Sequence, residues 1–187
     1  MAVRLSSGSH KRRSSYEMRP TASRTLEAVF NILMGEIEGR RVLDLFAGVG
    51  SYGVLALRRE AALSVFVENS RSAQKRIEKA LAQYHLEERA QIFREDVAHF
   101  LHSTHRWEQP FDLIFADPPY AAVTPGPLVD SILESGLLAP TGVLIVEHSK
   151  RHAPPDIPGL VLRKSRVFGD TTISIWDKQP MDVAPDA

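Results

Sequence analysis

The chain has 187 residues, 43% apolar and 25% charged, with no net charge, which predicts one soluble globular domain with an ordinary core. It has no cysteine, which excludes disulfides and thiolate-ligated metals. No apolar run approaches the roughly 20 residues needed to span a bilayer, so a membrane is not an expected partner.

Residues 1–18 read as a basic arm, 19–178 as the folded domain and 179–187 as a flexible tail. Up to residue 24 the chain holds Arg4, Lys11, Arg12, Arg13, Arg19 and Arg24 against one acid, Glu17. The Ser- and Arg-rich composition of the first eighteen residues matches a transit peptide. With no amphipathic period, an arm of the mature protein fits better, and a cytoplasmic location is expected. A second basic cluster, Lys150-Arg151 with Arg163, Lys164 and Arg166, follows later. Charge grouped this way can mark a polyanion-binding face, or a solvated surface.

Leu26, Val29, Phe30, Leu33 and Met34 have helical spacing, predicting a helix over 25–36 with Thr21 or Ser23 as its cap and Gly39 beyond its end. Short apolar runs then predict strands at 41–47, 63–68, 91–96, 111–116 and 142–147. Helices are predicted between them at about 51–60, 71–85, 97–104 and 126–136. Strand–helix–strand repetition at this spacing implies βαβ units and a mainly parallel sheet. Segments 160–168 and 171–177 flank Gly169-Asp170 and predict an antiparallel hairpin.

Gly48-Val49-Gly50-Ser51-Tyr52-Gly53 is a GxGxxG motif between the first strand and the first helix that follows it. Glycines there allow a tight turn and close approach to a ligand. Glu68 ends the next strand 20 positions after Gly48, where an acid can accept from both ribose hydroxyls. NAD and S-adenosylmethionine both fit this much. Asp44, four residues before Gly48, would repel a pyrophosphate but suits a sulfonium with a free amino group. Asp44 could also be a carboxylate that holds the loop, a role compatible with the first. Asp96 could meet an adenine amino group or cap the next helix.

Asp117-Pro118-Pro119-Tyr120 directly follows the fourth strand. The amino group of an aromatic base is a poor nucleophile, because its lone pair is delocalised into the ring. Acceptors around its N–H groups, here Asp117 and the Pro118 carbonyl, draw the nitrogen toward tetrahedral geometry. The prolines fix the backbone, so the acceptors are preorganised. Tyr120 can stack on the base, worth roughly 1–3 kcal/mol. A base in a helix or closed loop would first be swung out. Asp-Pro-Pro is also plain turn chemistry, but its company with the glycine loop favours the catalytic reading. His99, His102 and His105 recur every third residue without the i, i+4 spacing of a metal pair, so no metal is expected. Glu147-His148 closes the fifth strand and could form a general acid–base pair, but it reads better as a rim pair without catalytic duty.

Asp44-Leu45-Phe46-Ala47-Gly48-Val49-Gly50, Val67-Glu68-Asn69, Glu95-Asp96 and Asp117-Pro118-Pro119-Tyr120 resemble the ordered motifs of class I S-adenosylmethionine-dependent methyltransferases. Arg19-Pro20-Thr21-Ala22-Ser23-Arg24, running into Glu27-Ala28-Val29-Phe30, is similar to the amino-terminal signature of the RsmD family, bacterial 16S rRNA guanine-N2 methyltransferases. Phe168-Gly169-Asp170-Thr171 is similar as well. The resemblance implies a Rossmann-like α/β fold with seven strands, the last antiparallel, and helices on both faces.

It further implies that Asp44, Phe46, Ala47, Gly48, Gly50, Glu68, Asn69, Asp96 and Val97 line a site for S-adenosylmethionine, with S-adenosylhomocysteine as product. Asp117, Pro118, Pro119 and Tyr120 would hold the guanine amine, and Arg4, Lys11, Arg12, Arg13, Arg19, Thr21 and Arg24 would meet RNA. The implied partner is 16S rRNA or the small ribosomal subunit, with the enzyme a monomer. The family usually opens with a longer glycine-punctuated hairpin that helps contact RNA, and Val3 to Gly8 is only a trace of it. Glu60 stands where the family commonly has glycine. Rival readings are an adenine-N6 DNA methyltransferase, a protein-glutamine methyltransferase and a non-catalytic RNA-binding module with a vestigial fold.

Overall fold

A computed structural model describes residues 20–103, 107–119 and 125–179. The basic arm, Tyr120, His105 and all but the first residue of the expected tail lie outside these segments.

The chain alternates helix and strand as far as β5. The order is α1 (Pro20–Ile32), β1 (Arg41–Leu45), α2 (Ser51–Arg58), β2 (Leu63–Val67), α3 (Arg71–Tyr84) and β3 (Ala90–Phe93). It continues with α4 (Val97–His102), β4 (Phe111–Ala116), α5 (Pro125–Glu134), β5 (Leu138–Ser149), β6 (Leu160–Phe168) and β7 (Thr171–Lys178). The seven strands form one sheet in the order β3-β2-β1-β4-β5-β7-β6. All neighbours are parallel except β7, which runs antiparallel to β5 and β6.

The sheet is covered on both faces, which is why β1, β2 and β4 are continuous apolar runs. Alternate residues of each strand feed different cores. Phe66, Phe115, Ile145 and Ile175 join α1, α2 and α3 on one side. Val65, Ile114, Leu144 and Trp176 join α4 and α5 on the other. On the first side the rings of Phe30, Tyr52 and Phe115 stack, with Tyr52 and Phe115 centroids 4.7 Å apart.

Several boundaries differ from the sequence expectation. Helix α1 starts at Pro20, not at 25, so Thr21 and Ser23 lie within the helix and not ahead of its first turn. Proline suits a first helical position because its missing N–H would have no partner there anyway. Strand β3 is shorter than expected, and Asp96 leaves the sheet to cap α4 by accepting from Ala98 N at 2.8 Å. Strand β5 begins at Leu138, four residues before the expected Gly142. Phe111 pairs with Leu138 and Leu113 with Val143, so extra β5 residues, Pro140 among them, bulge out between the two pairs. The expected hairpin forms, with Phe168 opposite Thr171.

The strand order reverses beside β1: β2 lies on one side of it and β4 on the other. In parallel sheets the carboxyl ends of the strands at such a reversal leave a crevice between the loops. No helix among the described residues is long and apolar enough to cross a membrane.

Candidate active site

The crevice lies where this topology puts it and has a volume of about 610 Å³, within the range of small-molecule sites. Four strand ends supply its walls. Phe46 and Gly48 follow β1, and Val67, Glu68 and Asn69 close β2. Glu95, Asp96 and Val97 join β3 to α4, and Asp117, Pro118 and Pro119 follow β4.

The loop after β1 is built for close approach. A Cβ on Gly50 would lie 3.0 Å from Ile77 Cγ1, and one on Gly53 would lie 2.5 Å from Ser64 Oγ. These two glycines let α2 settle on the sheet and do not face a ligand. Gly48 does: its Cβ direction is open, with nothing nearer than the Phe46 carbonyl at 3.9 Å. Phe46 itself sits at φ 56°, a strained left-handed position for a side chain this large.

Two carboxylates hold the loop. Asp44 is 1% exposed and accepts from Gly53 N at 2.9 Å. Burial pushes its pKa well above the ordinary value, against the lowering effect of that hydrogen bond. Asp44 lies under the loop and does not line the crevice. Ala47 and Gly50 are likewise buried away from it. Glu68 does line the crevice, and it accepts from Gly48 N at 2.8 Å through Oε2 and from Ser70 N at 2.7 Å through Oε1. Each oxygen keeps a further lone pair for a ligand hydroxyl.

Asp117 opens to the crevice. Its pKa rises to about 7, because protein crowds the carboxyl on its other sides and because Glu147 carries a like charge. Glu147 is not a rim residue as expected: it is 8% exposed and accepts a hydrogen bond from the Tyr52 hydroxyl. His148 is also buried, with Nε2 2.9 Å from Ser174 Oγ, and burial lowers its pKa. Tyr52 is pushed well up, by burial first and then by the Glu147 charge.

The crevice therefore unites Phe46, Gly48, Glu68, Asn69, Asp96, Val97, Asp117, Pro118 and Pro119 of the expected set. Val67 and Glu95, which belong to the same motifs but are not among the expected lining residues, join them. Tyr120, Arg4, Lys11, Arg12, Arg13 and Arg19 lie outside the described residues. Thr21 is in the first turn of α1, and Arg24 on the same helix is exposed.

The second basic cluster divides. Arg163 is committed internally, reaching Asp177 Oδ2 at 2.9 Å and Glu36 Oε1 at 2.7 Å. Lys150 reaches Asp170 at 2.7 Å, while Arg151, Lys164 and Arg166 are exposed. His99 and His102 lie on an exposed face, and no group of three or more potential metal ligands occurs among the described residues.

A seven-stranded sheet in this order, with β7 reversed and a crevice over a glycine loop, is the class I methyltransferase fold. The solved structure titled Putative methyltransferase yhhF from Escherichia coli superposes with a TM-score of 0.78 at 26% identity, covering 88% of this chain and 90% of that one. The family model described as Conserved hypothetical protein 95 matches residues 3–177, and the chain belongs to that family, the RsmD family. The match takes in most of the basic arm. The chain is 33% identical to Putative rRNA methyltransferase YlbH of Bacillus subtilis over 183 residues, 95% of this chain and 100% of that protein. It is 32% identical to Ribosomal RNA small subunit methyltransferase D of Haemophilus influenzae over 139 residues, 73% of this chain and 71% of that one.

Proposed function

We propose that this chain transfers a methyl group from S-adenosylmethionine to the exocyclic N2 amine of a guanine in 16S rRNA, releasing S-adenosylhomocysteine. The observation that carries the reading is a single crevice that joins the glycine loop and Glu68 to Asp117-Pro118-Pro119.

The lining fits this methyl donor. Its charged residues are Glu68, Glu95, Asp96 and Asp117, with no lysine or arginine among the described ones. Such a wall repels a pyrophosphate and attracts a sulfonium and an ammonium group. Glu68 would take the ribose hydroxyls, and the open face of Gly48 would let the donor lie against the backbone. When bound, the donor supplies an electrophilic methyl group.

The residues after β4 act on the acceptor. Asp117 and the Pro118 carbonyl would hold the amine N–H groups and aim the nitrogen lone pair at the methyl. Pro118 is buried, which fixes that edge of the site. Much of the rate would come from this positioning. An RNA substrate is supported by the names of the relatives and by the basic arm. Guanine N2 is supported by the Arg19-Pro20-Thr21 and Asp-Pro-Pro-Tyr motifs together.

The deciding measurement is transfer of labelled methyl from S-adenosylmethionine to small ribosomal subunits that lack the modification, followed by mapping of the labelled nucleoside. Label recovered in N2-methylguanosine of 16S rRNA is the expected result. No transfer to subunits or to free 16S rRNA would overturn the substrate, and label on another base would overturn the guanine assignment.

A further inference from the structure

Strands β4 and β5 run parallel, with Ala116 opposite Val146. One residue further on, Asp117 and Glu147 therefore occupy neighbouring positions on adjacent strands. Side chains two apart on a strand share a face, so both lie above Phe115 and Ile145, which belong to the core under α1 and α2. Tyr52 approaches from α2. Its ring stacks on Phe115 at 4.7 Å and its hydroxyl donates to Glu147. The reaction outlined above uses Asp117 and leaves this buried Tyr52–Glu147 pair without a part.

We propose that Glu147, held by Tyr52, is a positioning residue that makes Asp117 the acceptor of the proton the substrate amine must lose. The proposal rests on the methyltransferase reading of the same crevice. The amine nitrogen forms the new bond to the methyl carbon with its lone pair. The methyl's bond to the donor breaks, and that electron pair stays with the donor. The nitrogen is left cationic, one of its protons passes to the Asp117 carboxylate, and Asp117 releases it to water.

The groups around Asp117 favour this. Among the described residues, Asp44 on β1, Glu68 after β2 and Glu147 on β5 are acids, and Tyr52 on α2 is neutral. His148 alternates to the other face of β5 and is bound to Ser174. On α1, the nearby charged side chains Arg24 and Glu27 are exposed. Crowding by protein and then the Glu147 charge bring the Asp117 carboxyl to about 7, where it accepts a proton far better than an ordinary aspartate and still ionises near neutrality. The Tyr52 hydroxyl donates to Glu147 Oε1 and fixes where that carboxylate stands beside Asp117.

The test follows carboxyl titration by NMR in carbon-13 aspartate-labelled protein, with the Asp117 signal assigned through Asp117→Asn, beside the pH profile of kcat. In the wild-type chain the Asp117 signal and the acid limb of kcat should both fall near 7. Glu147→Gln keeps the acceptor for Tyr52 but removes the charge, and should move both downward by about one unit. Glu147→Asp retains a charge set further back and should fall between the two.

A wild-type Asp117 that titrates near 4 overturns the proposal without any variant. So does a cooperatively folded Glu147→Gln protein in which neither quantity moves, which would leave the pair a purely structural role. The titration needs no substrate. Absence of methyl transfer by the wild-type chain would therefore count against the proposed function, while the titration still reports on Glu147 and Asp117.

Discussion

Glu68, just after β2, clamps Gly48 after β1: its Oε2 accepts the Gly48 N–H at 2.8 Å, while Oε1 accepts from Ser70. One carboxylate thus sets the height of the glycine loop and presents its remaining lone pairs to the crevice. Glu68→Gln keeps one acceptor but removes the charge that strengthens these bonds. Binding of S-adenosylmethionine, read by titration calorimetry, should weaken by about ten-fold or more, equivalent to roughly 1.4 kcal/mol. Glu95→Gln, after the neighbouring strand β3, should cost less. Equal affinity of the Glu68→Gln and wild-type proteins would remove Glu68 from the donor site.

Asp117 makes stability depend on pH in a direction opposite to most carboxylates. Its folded value, about 7, lies above the ordinary 3.8. Between those values the folded chain binds more protons than the unfolded chain, so stability falls as pH rises through that window. Asp117→Asn removes this contribution while keeping the shape. The variant should melt higher than the wild-type protein at pH 8, with the two curves converging near pH 4. Asp44, whose value is also raised, is present in both proteins and cancels in the comparison. The same variant should bind S-adenosylmethionine and fail to transfer methyl, a trade of stability for activity. A melting temperature equal to wild type at pH 8 would contradict the raised value.

The parts of this site that were legible in the sequence are those set by local chemistry. Apolar runs ending in glycine or proline gave the strand ends, and parallel βαβ order places such ends on one edge. Glu68 and Asp117 each follow directly from a strand end, and Asp96 stands a short step beyond one. The Tyr52–Glu147 pair could not be read this way. Its members stand 95 positions apart, and their meeting depends on β5 lying beside β4 and on Tyr52 reaching across from the first turn of α2. Asp44 illustrates the converse: proximity to the glycine loop suggested a ligand contact, but inward alternation on β1 points it at Gly53. The early start of α1 was hidden because its first turn, Pro20 to Ser23, has no apolar period to announce it.

Glu60 occupies a left-handed position, φ 65°, at the turn between α2 and β2. Its carbonyl accepts from Gly39 N at 2.8 Å, so the turn cannot relax without losing that bond. A side chain in this region costs roughly 1–2 kcal/mol. Glycine avoids the clash but loses more freedom on folding. The net effect of Glu60→Gly should be a gain of about 0.5–1 kcal/mol in urea unfolding, slightly reduced by loss of the 3.4 Å contact with Arg89. Methyl transfer should not change. A less stable glycine variant would mean that the Arg89 contact outweighs the backbone strain.

The basic residues on β6 should separate into one structural arginine and two that meet RNA. Strand β6 runs in the same sense as β4, because β4 is parallel to β5 and two antiparallel steps through β7 lead from β5 to β6, so Arg166 lies toward the edge that carries Asp117. Lys164 and Arg166 alternate on one face and are exposed, while Arg163 bridges Asp177 and Glu36. Arg163→Ala should lower stability by about 1–2 kcal/mol and leave RNA affinity unchanged. Lys164→Ala with Arg166→Ala should leave stability within about 0.5 kcal/mol. That pair should weaken binding to 16S rRNA and reduce the slope of log affinity against log salt by roughly one to two. Removing residues 1–15, with Arg4, Lys11, Arg12 and Arg13, should flatten the slope further and additively, since separate phosphate contacts release separate counterions. A slope that responds to the arm but not to Lys164 and Arg166 would confine RNA docking to the α1 side of the crevice.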